Sequence, residues 1–356
     1  MNPYLPLHFY RGLTNLEKKS LCTKGTAAIP WTSTAQLERA LEEKYGIKLS
    51  LDAGWQQALE QAHRETEHAK THGYAIVDFA QEEYPRDLFE VQDPPMCLMG
   101  RGTWKNEKRP VAIVGSRKAT HYGLRATKEM CAVLSAYPVN IVSGLAFGID
   151  SQAHRWALEY GATTTAFLAG GMCDIHPKSH RSLAQQILDE GGAYFTEQPF
   201  DNMPRPHFFP VRNRLIAGSS KEIIVVEAVK TGGAMITANL ASGYNKNIHA
   251  LPGAIYQPMS LGCNLLVNQD LAKAIAAIKD LPEQLFRDWR PVKVKIDSYD
   301  DLLKKMLRLF PVGRKVKPYE IGRALEVPNK QINRALRDLE ALQLIEKLPK
   351  GFYGRK

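Results

Sequence analysis

The apolar residues of the chain alternate between two rhythms. VAIVG (111–115), NIVSG (140–144), TTTAFLAGG (163–171), AYFTEQP (193–199), EIIVVEA (222–228) and NIHALPG (247–253) are runs with little polar interruption. Such runs predict strands buried on both faces. Between them, near 120–136, 148–160, 179–190, 211–218 and 234–244, the pattern turns helical. Strands alternating with helices predict an α/β fold, a Rossmann-like, doubly wound, mostly parallel sheet. Sheets of this kind bind ligands at the carboxyl ends of their strands. The Gly-rich and basic residues of this sequence fall there.

The flanks read differently. Residues 1–73 predict a small helical N-terminal domain, with Leu37, Leu41 and Tyr45 on one face of 35–45 and a second amphipathic helix over 54–73. A strand and a Pro-rich connector (74–102) lead into the Rossmann-like domain, bounded at 74–280, and 281–298 reads as a linker. Over 299–356 a first helix carries Leu302, Leu303, Met306, Leu309 and Phe310. Ile321, Leu325 and Val327 mark a short helix and turn, and Ile332, Leu336 and Leu339 the next helix. Two short strands around Pro349-Lys350-Gly351 follow. Three helices and a hairpin match a winged helix-turn-helix.

Composition narrows the class. A length of 356 residues suits two or three domains, and 44% apolar with 24% charged residues excludes a disordered or collagen-like chain. No run of about 18 apolar residues occurs, and the first residues lack the features of a secretion signal, so no membrane partner and a cytoplasmic location are expected. Cys22, Cys97, Cys131, Cys173 and Cys263 are odd in number, widely spaced and form no C-x-x-C pair. They are expected to be reduced, small apolar core residues, with no zinc ribbon. The net charge of +10 is uneven, at −4 over 1–100, +6 over 101–290 and +8 over 291–356. Either a phosphate-bearing partner or merely solvated lysines would account for the surplus.

The candidate chemistry lies at the strand ends. Gly115-Ser116-Arg117 follows the first apolar strand and fits neither G-x-G-x-x-G nor a P-loop. It reads either as an anion cradle with an arginine clamp or as an ordinary strand–helix turn. Ser143 and Gly144 would open the sheet edge to a ligand. Asp150 and His154 favour capping and buttressing over acid/base work, because no nucleophile or metal set accompanies them. His68 and His72 stand four apart, but no placed carboxylate or cysteine completes a metal site, and solvent exposure is favoured. In 205–220, Arg205, His207, Arg212 and Arg214 crowd around Phe208 and Phe209, with Asn213 between the last two arginines. Guanidinium groups pair with phosphates and aromatic faces stack on unpaired bases. The alternative is an arginine loop paired with Glu197 and Glu227, and at least one arginine is expected to do that. Gly232 and Gly233 offer free amides before a helix. Lys330, Arg334, Arg337 and Lys350 suit backbone contacts to a duplex, or the solvated face of a protein-interaction module.

These motifs occur in an order that resembles the DNA-processing protein A (DprA/Smf) family. The resemblance runs from about Tyr84 to Asp270: YP-x-x-L (84–88), D-P-P (93–95), VAIVGSR (111–117), VSGLA-x-GID-x-x-AH (142–154), IHP (175–177), FP-x-RNR-x-IAG (209–218), VVEA (225–228), ITA (236–238) and LPG (251–253). The two flanking units look like accessory domains of that family. His176 departs from the usual Tyr, Cys263 from Thr, and Thr231-Gly232-Gly233-Ala234 from a Gly-Ser-rich turn. The resemblance implies a non-catalytic homodimer, without cofactor or metal, that binds and protects single-stranded DNA. It further implies help in loading the RecA recombinase during natural transformation and recombination, with single-strand-binding protein as a further candidate partner. Carried over by motif, Arg117, Ser143, Gly144, Arg205, His207, Phe209, Arg212, Asn213 and Arg214 line the DNA pocket. One alternative is a nucleotide-processing phosphoribohydrolase of the same superfamily, with Asp150 or Glu227 acting on an N-glycosidic bond. Its Gly-Gly-x-Gly-Thr-x-x-Glu run is matched here only in part. Another is a transcription factor whose winged helix reads a duplex.

Overall fold

The computed structural model describes residues 2, 4–23, 53–286, 315–325 and 329–355, with the isolated positions 38, 39, 42, 302 and 306. Most of the helices expected over 35–45 and 300–310, and the stretch 287–298, lie outside the described residues.

The chain forms a nine-stranded sheet in the order β1-β2-β6-β5-β4-β3-β7-β8-β9. Its strands are β1 (Ala75–Asp78), β2 (Cys97–Arg101), β3 (Arg109–Val114), β4 (Val139–Ser143), β5 (Thr163–Phe167), β6 (Ala193–Thr196), β7 (Glu222–Val225), β8 (Asn247–Ala250) and β9 (Lys273–Ala274). The seven strands from β6 to β9 in that order pair in parallel, and β2 joins β6 and β1 antiparallel. The helices are α1 (Leu5–Phe9), α2 (Asn15–Thr23), α3 (Ala53–His72), α4 (Arg86–Phe89), α5 (His121–Leu134), α6 (Ile149–Glu159), α7 (Arg181–Asp189), α8 (Phe208–Gly218), α9 (Gly233–Gly243), α10 (Leu261–Asn268) and α11 (Leu281–Leu285).

Period-two alternation sends successive residues of a strand to opposite faces. From β3, Val111 and Ile113 pack with Met130 and Leu134 of α5 and Ala153 and Ala157 of α6. Ala112 and Val114 pack on the other side with Leu215 and Ile216 of α8 and Ala238 and Ala241 of α9. Both faces are covered, which is why these strands are apolar throughout.

Two boundaries differ from expectation. The N-terminal helices share one apolar core with the sheet: Leu5, Leu7, fully buried Trp55 and Ala62 pack with Met96, Cys97, Leu168 and Leu183. At the other end Leu281, Leu285 and Phe286 are buried beside α5, so the packed body runs on past 280. β2 also arises inside the expected Pro-rich connector. Its apolar run is short and framed by Pro94, Pro95 and Gly102, so its turn signals mask a strand that only tertiary pairing stabilises. A Cβ on Gly100 would lie 2.3 Å from the Tyr194 carbonyl oxygen, an approach that glycine alone permits.

The C-terminal unit has its own core of Met306, Val316, Ile321, Ile332, Leu336, Leu339, Ile345 and Tyr353. Its described elements are α12 (Pro318–Leu325), α13 (Asn329–Ala341) and an antiparallel hairpin of β10 (Ile345–Leu348) and β11 (Phe352–Arg355).

Candidate nucleic-acid interface

The chain winds from β3 through β4 and β5 to β6 on one side, then crosses back to lay β7, β8 and β9 on the other. Between the carboxyl ends of β3 and β7 this reversal leaves a crevice, the usual ligand position in an open α/β sheet. A pocket of about 710 Å³ opens there. One wall is Gly115, Ser116, Arg117 and Lys118 after β3; another is Phe209, Arg212 and Asn213 of α8. Gly232 and Gly233 at the start of α9 complete it, and Asp150, His176 and Met259 fill the corners.

The β3 turn is tight for a steric reason. A Cβ on Gly115 would lie 2.6 Å from Ile149 Cγ1. Gly148 has a φ of +75° and leaves no room for a Cβ against the Ser116 carbonyl. The Ile149 amide donates to that same carbonyl at 3.2 Å, locking the turn to the head of α6. Arg117 is thereby thrust outward, exposed, with its guanidinium 4.8 Å from the Phe209 ring centroid. That is cation–π range. Among the described residues neither Arg117 nor Lys118 has an ion-pair partner, so both charges face the opening. Gly233 has open space where a Cβ would be, and the amides of Gly233 and Ala234 precede any intrahelical acceptor, whereas the Gly232 amide, expected to be free, donates to the Val229 carbonyl at 3.1 Å and closes the turn.

Arg212 serves a different purpose. It is 4% exposed, and it donates to the carbonyls of Gly144 (2.7 Å) and Phe167 (2.6 Å) and to Asn213 Oδ1 (3.2 Å). Burial brings its guanidinium down to about 10, with Asp150 opposing that shift and Arg117 adding to it. Burial likewise raises the Asp150 carboxyl, while Arg212 and the Gly144 amide (3.2 Å) hold it down. The side chain of Asn213 bridges from Arg212 to the Gly233 carbonyl at 3.2 Å. Arg212 and Asn213 are thus the pocket's rigid floor, tying the ends of β4, β5 and α9 together.

Several expected residues stand elsewhere. Arg214 is buried behind the pocket, donating to the Asp93 carbonyl (2.6 Å) and to the Glu197 carboxylate. It is the arginine that pairs with Glu197. Glu227 instead accepts from the Thr120 amide at 2.8 Å and from its hydroxyl. Ser143 is fully buried and donates to the Ile113 carbonyl at 2.7 Å. Gly144 is buried against the Arg212 guanidinium, where a Cβ would come within 2.7 Å. Arg205 and His207 are exposed on the rim, on either side of Pro206, which lines the pocket. In the C-terminal unit Arg337 pairs with Glu159 at 2.9 Å and Arg334 lies 3.9 Å from Glu190. The side chains of Lys330 and Lys350 lie outside the described residues.

Lys118 and Met259 line the pocket without having been singled out from the sequence, and His176, noted there only as a departure from the family's usual Tyr, lines it too. The His176 ring stands edge-on to Phe209 at 5.9 Å. Its signal in the sequence is the IHP block (175–177). Among the described residues no group of three His, Cys, Asp or Glu is placed to hold a metal. The His72 ring stacks on Phe200 at 4.3 Å, and its Nδ1 lies 3.1 Å from the His68 carbonyl. Four cysteines are buried and Cys173 is exposed, the one departure from the expected core role. No described helix is long and apolar enough to cross a membrane.

Comparison with known proteins agrees with this geometry. The family model for DNA recombination-mediator protein A matches residues 75–286. Protein Smf of Escherichia coli is 33% identical over 290 residues, covering 78% of this chain and 76% of that protein. DNA processing protein DprA of Streptococcus pneumoniae is 34% identical over 224 residues, covering 63% and 77%. Its X-ray structure superposes with a TM-score of 0.60 at 27% identity, over 78% of this chain and 99% of that one. DNA processing protein A of Helicobacter pylori, studied for its single-stranded DNA binding mode, gives a TM-score of 0.54 at 28% identity, over 61% and 97%. With its crevice at the sheet's reversal and its motif blocks in matching order, the chain belongs to the DNA recombination-mediator protein A family.

Proposed function

We propose that this protein binds single-stranded DNA across the β3–β7 crevice without catalysing a reaction on it. The observation that carries this is Arg117: an exposed cation lying on the Phe209 ring at the mouth of an open pocket, with Lys118 beside it. A phosphate would take the guanidinium fork, and an unpaired base the aromatic face. The carboxylates that an N-glycosidic reaction would need are engaged, Asp150 with the Gly144 amide and Arg212, Glu227 with Thr120. Membership of the family extends the proposal to a homodimer that protects incoming strands and helps load the RecA recombinase in transformation and recombination. The C-terminal unit, with two helices and a hairpin, fits a winged helix that contacts duplex DNA or protein.

Anisotropy titrations with labelled single- and double-stranded oligonucleotides of mixed sequence test the proposal. Preference for the single strand, with little dependence on sequence, is the expected result. A strong preference for one duplex sequence would favour a transcription factor, and release of free base from nucleotides would favour an enzyme.

A further inference from the structure

Phe147 is 50% exposed on the loop between β4 and α6. Single exposed apolar side chains are ordinary on protein surfaces, so exposure alone carries nothing. This ring is different because its backbone is held in place and adjoins the pocket. On one side Leu145 is fully buried with a φ of +56°, and its carbonyl lies 2.8 Å from His180 Nδ1. On the other, Gly148 is wedged against the Ser116 carbonyl. The Ser151 amide donates to the Ala146 carbonyl at 3.1 Å, closing the loop, and Ala146 itself lines the pocket.

The loop faces a second strand-end segment. The Phe147 ring lies 5.0 Å from His180, edge to face. Four residues back in the same segment, His176 lines the pocket and meets Phe209. Four residues span at most about 14 Å even fully extended, so the Phe147–His180 pair, with His180 itself buried, and the His176–Phe209 pair lie close along one segment. Lys178, exposed and without an ion-pair partner among the described residues, stands between the two histidines. Aromatic rings beside unpaired cations are the pattern that tracks a single strand.

We propose that Phe147 is a second stacking platform, holding a base of the same strand beyond the one at Phe209. This rests on the reading of the crevice as a single-strand site. It places the strand's exit path over the β4–α6 loop and toward Lys178.

The test is a set of titrations of the full chain with oligothymidylate and with an abasic oligonucleotide of equal length and charge. Phe147→Ala is expected to weaken oligothymidylate binding about tenfold while leaving the abasic affinity and the salt dependence unchanged. Phe147→Trp is expected to restore oligothymidylate binding. If wild type binds and Phe147→Ala binds equally well, the platform is refuted and the crevice stands. If Phe147→Ala weakens both oligonucleotides alike, the effect is not base stacking and the platform is again refuted. If wild type binds neither oligonucleotide, the crevice reading and the platform both fall.

Discussion

Single side chains divide into those that face a ligand and those that hold the pocket's shape, and the sequence does not mark the difference. Arg212 and Arg214 are two apart on α8, so they project about 200° from one another around the helix axis. One can floor the pocket only if the other points away, and Arg214 does, toward Glu197. Arg117 was legible because a strand-end arginine after glycine has few places to go. Arg212→Ala removes the charge facing buried Asp150 and three hydrogen bonds, to Gly144, Phe167 and Asn213, so it is expected to cost about 3–5 kcal/mol of unfolding free energy in urea denaturation. Arg117→Ala, exposed, is expected to shift the same curve by less than about 0.5 kcal/mol.

His154 gives a pH signature. The Thr164 hydroxyl donates to the Ile141 carbonyl at 2.7 Å, so it accepts from His154 Nδ1 at 2.6 Å. Nε2 is then the bare nitrogen, buried and without a partner among the described residues. Burial, with His180 and Arg212 adding to it, lowers this histidine from 6.5 to about 3. The unfolded chain takes up the proton below about pH 6.5 while the folded chain refuses it, so stability present above that pH is lost as pH falls toward 3. Between those limits His154→Gln is expected to flatten stability against pH by about 1.4 kcal/mol per unit, measured by denaturation at several pH values. An unchanged slope would mean that His154 is already protonated in the fold.

Among elements, those buried on both faces were readable and those that depend on a distant partner were not. β3, β4, β5, β6, β7 and β8 stand where their apolar runs predict. β2 hid among prolines, and the tail from α10 through β9 to α11 showed no rhythm of its own because each piece is short and packs on elements far away in sequence. The turn after β4 has a sharper dependence. Gly148, with φ +75° and ψ −126°, occupies a region essentially closed to other residues. Gly148→Ala is expected to cost at least about 1–3 kcal/mol by strain and to push Ser116 and Arg117 out of register, weakening oligonucleotide binding. Denaturation and anisotropy on the same variant check both effects. Full affinity with undiminished stability would show that the turn does not set the position of Arg117.

Across the molecule, charge and topology are visible in the sequence, but the docking of the parts is not. The sheet's reversal places the crevice at one end of the strands. α6 starts at that end and Glu159 closes its far end, about 16 Å away along the axis. Arg337 meets Glu159 there, so the C-terminal unit contacts the body well away from the crevice. Both side chains are partly exposed, and such a pair contributes at most about 1 kcal/mol, less in salt. The two basic regions therefore lie at separate places, and on the proposed reading the crevice binds a strand with its own cations.

Salt dependence isolates that capacity. Each phosphate neutralised on a single strand contributes about −0.7 to the slope of log affinity against log salt. Wild type is expected to bind oligothymidylate with a steep negative slope, and Arg117→Ala to bind more weakly with a slope shallower by about 0.7. Equal slopes for the two proteins, or no binding by wild type at low salt, would contradict a strand gripped at Arg117.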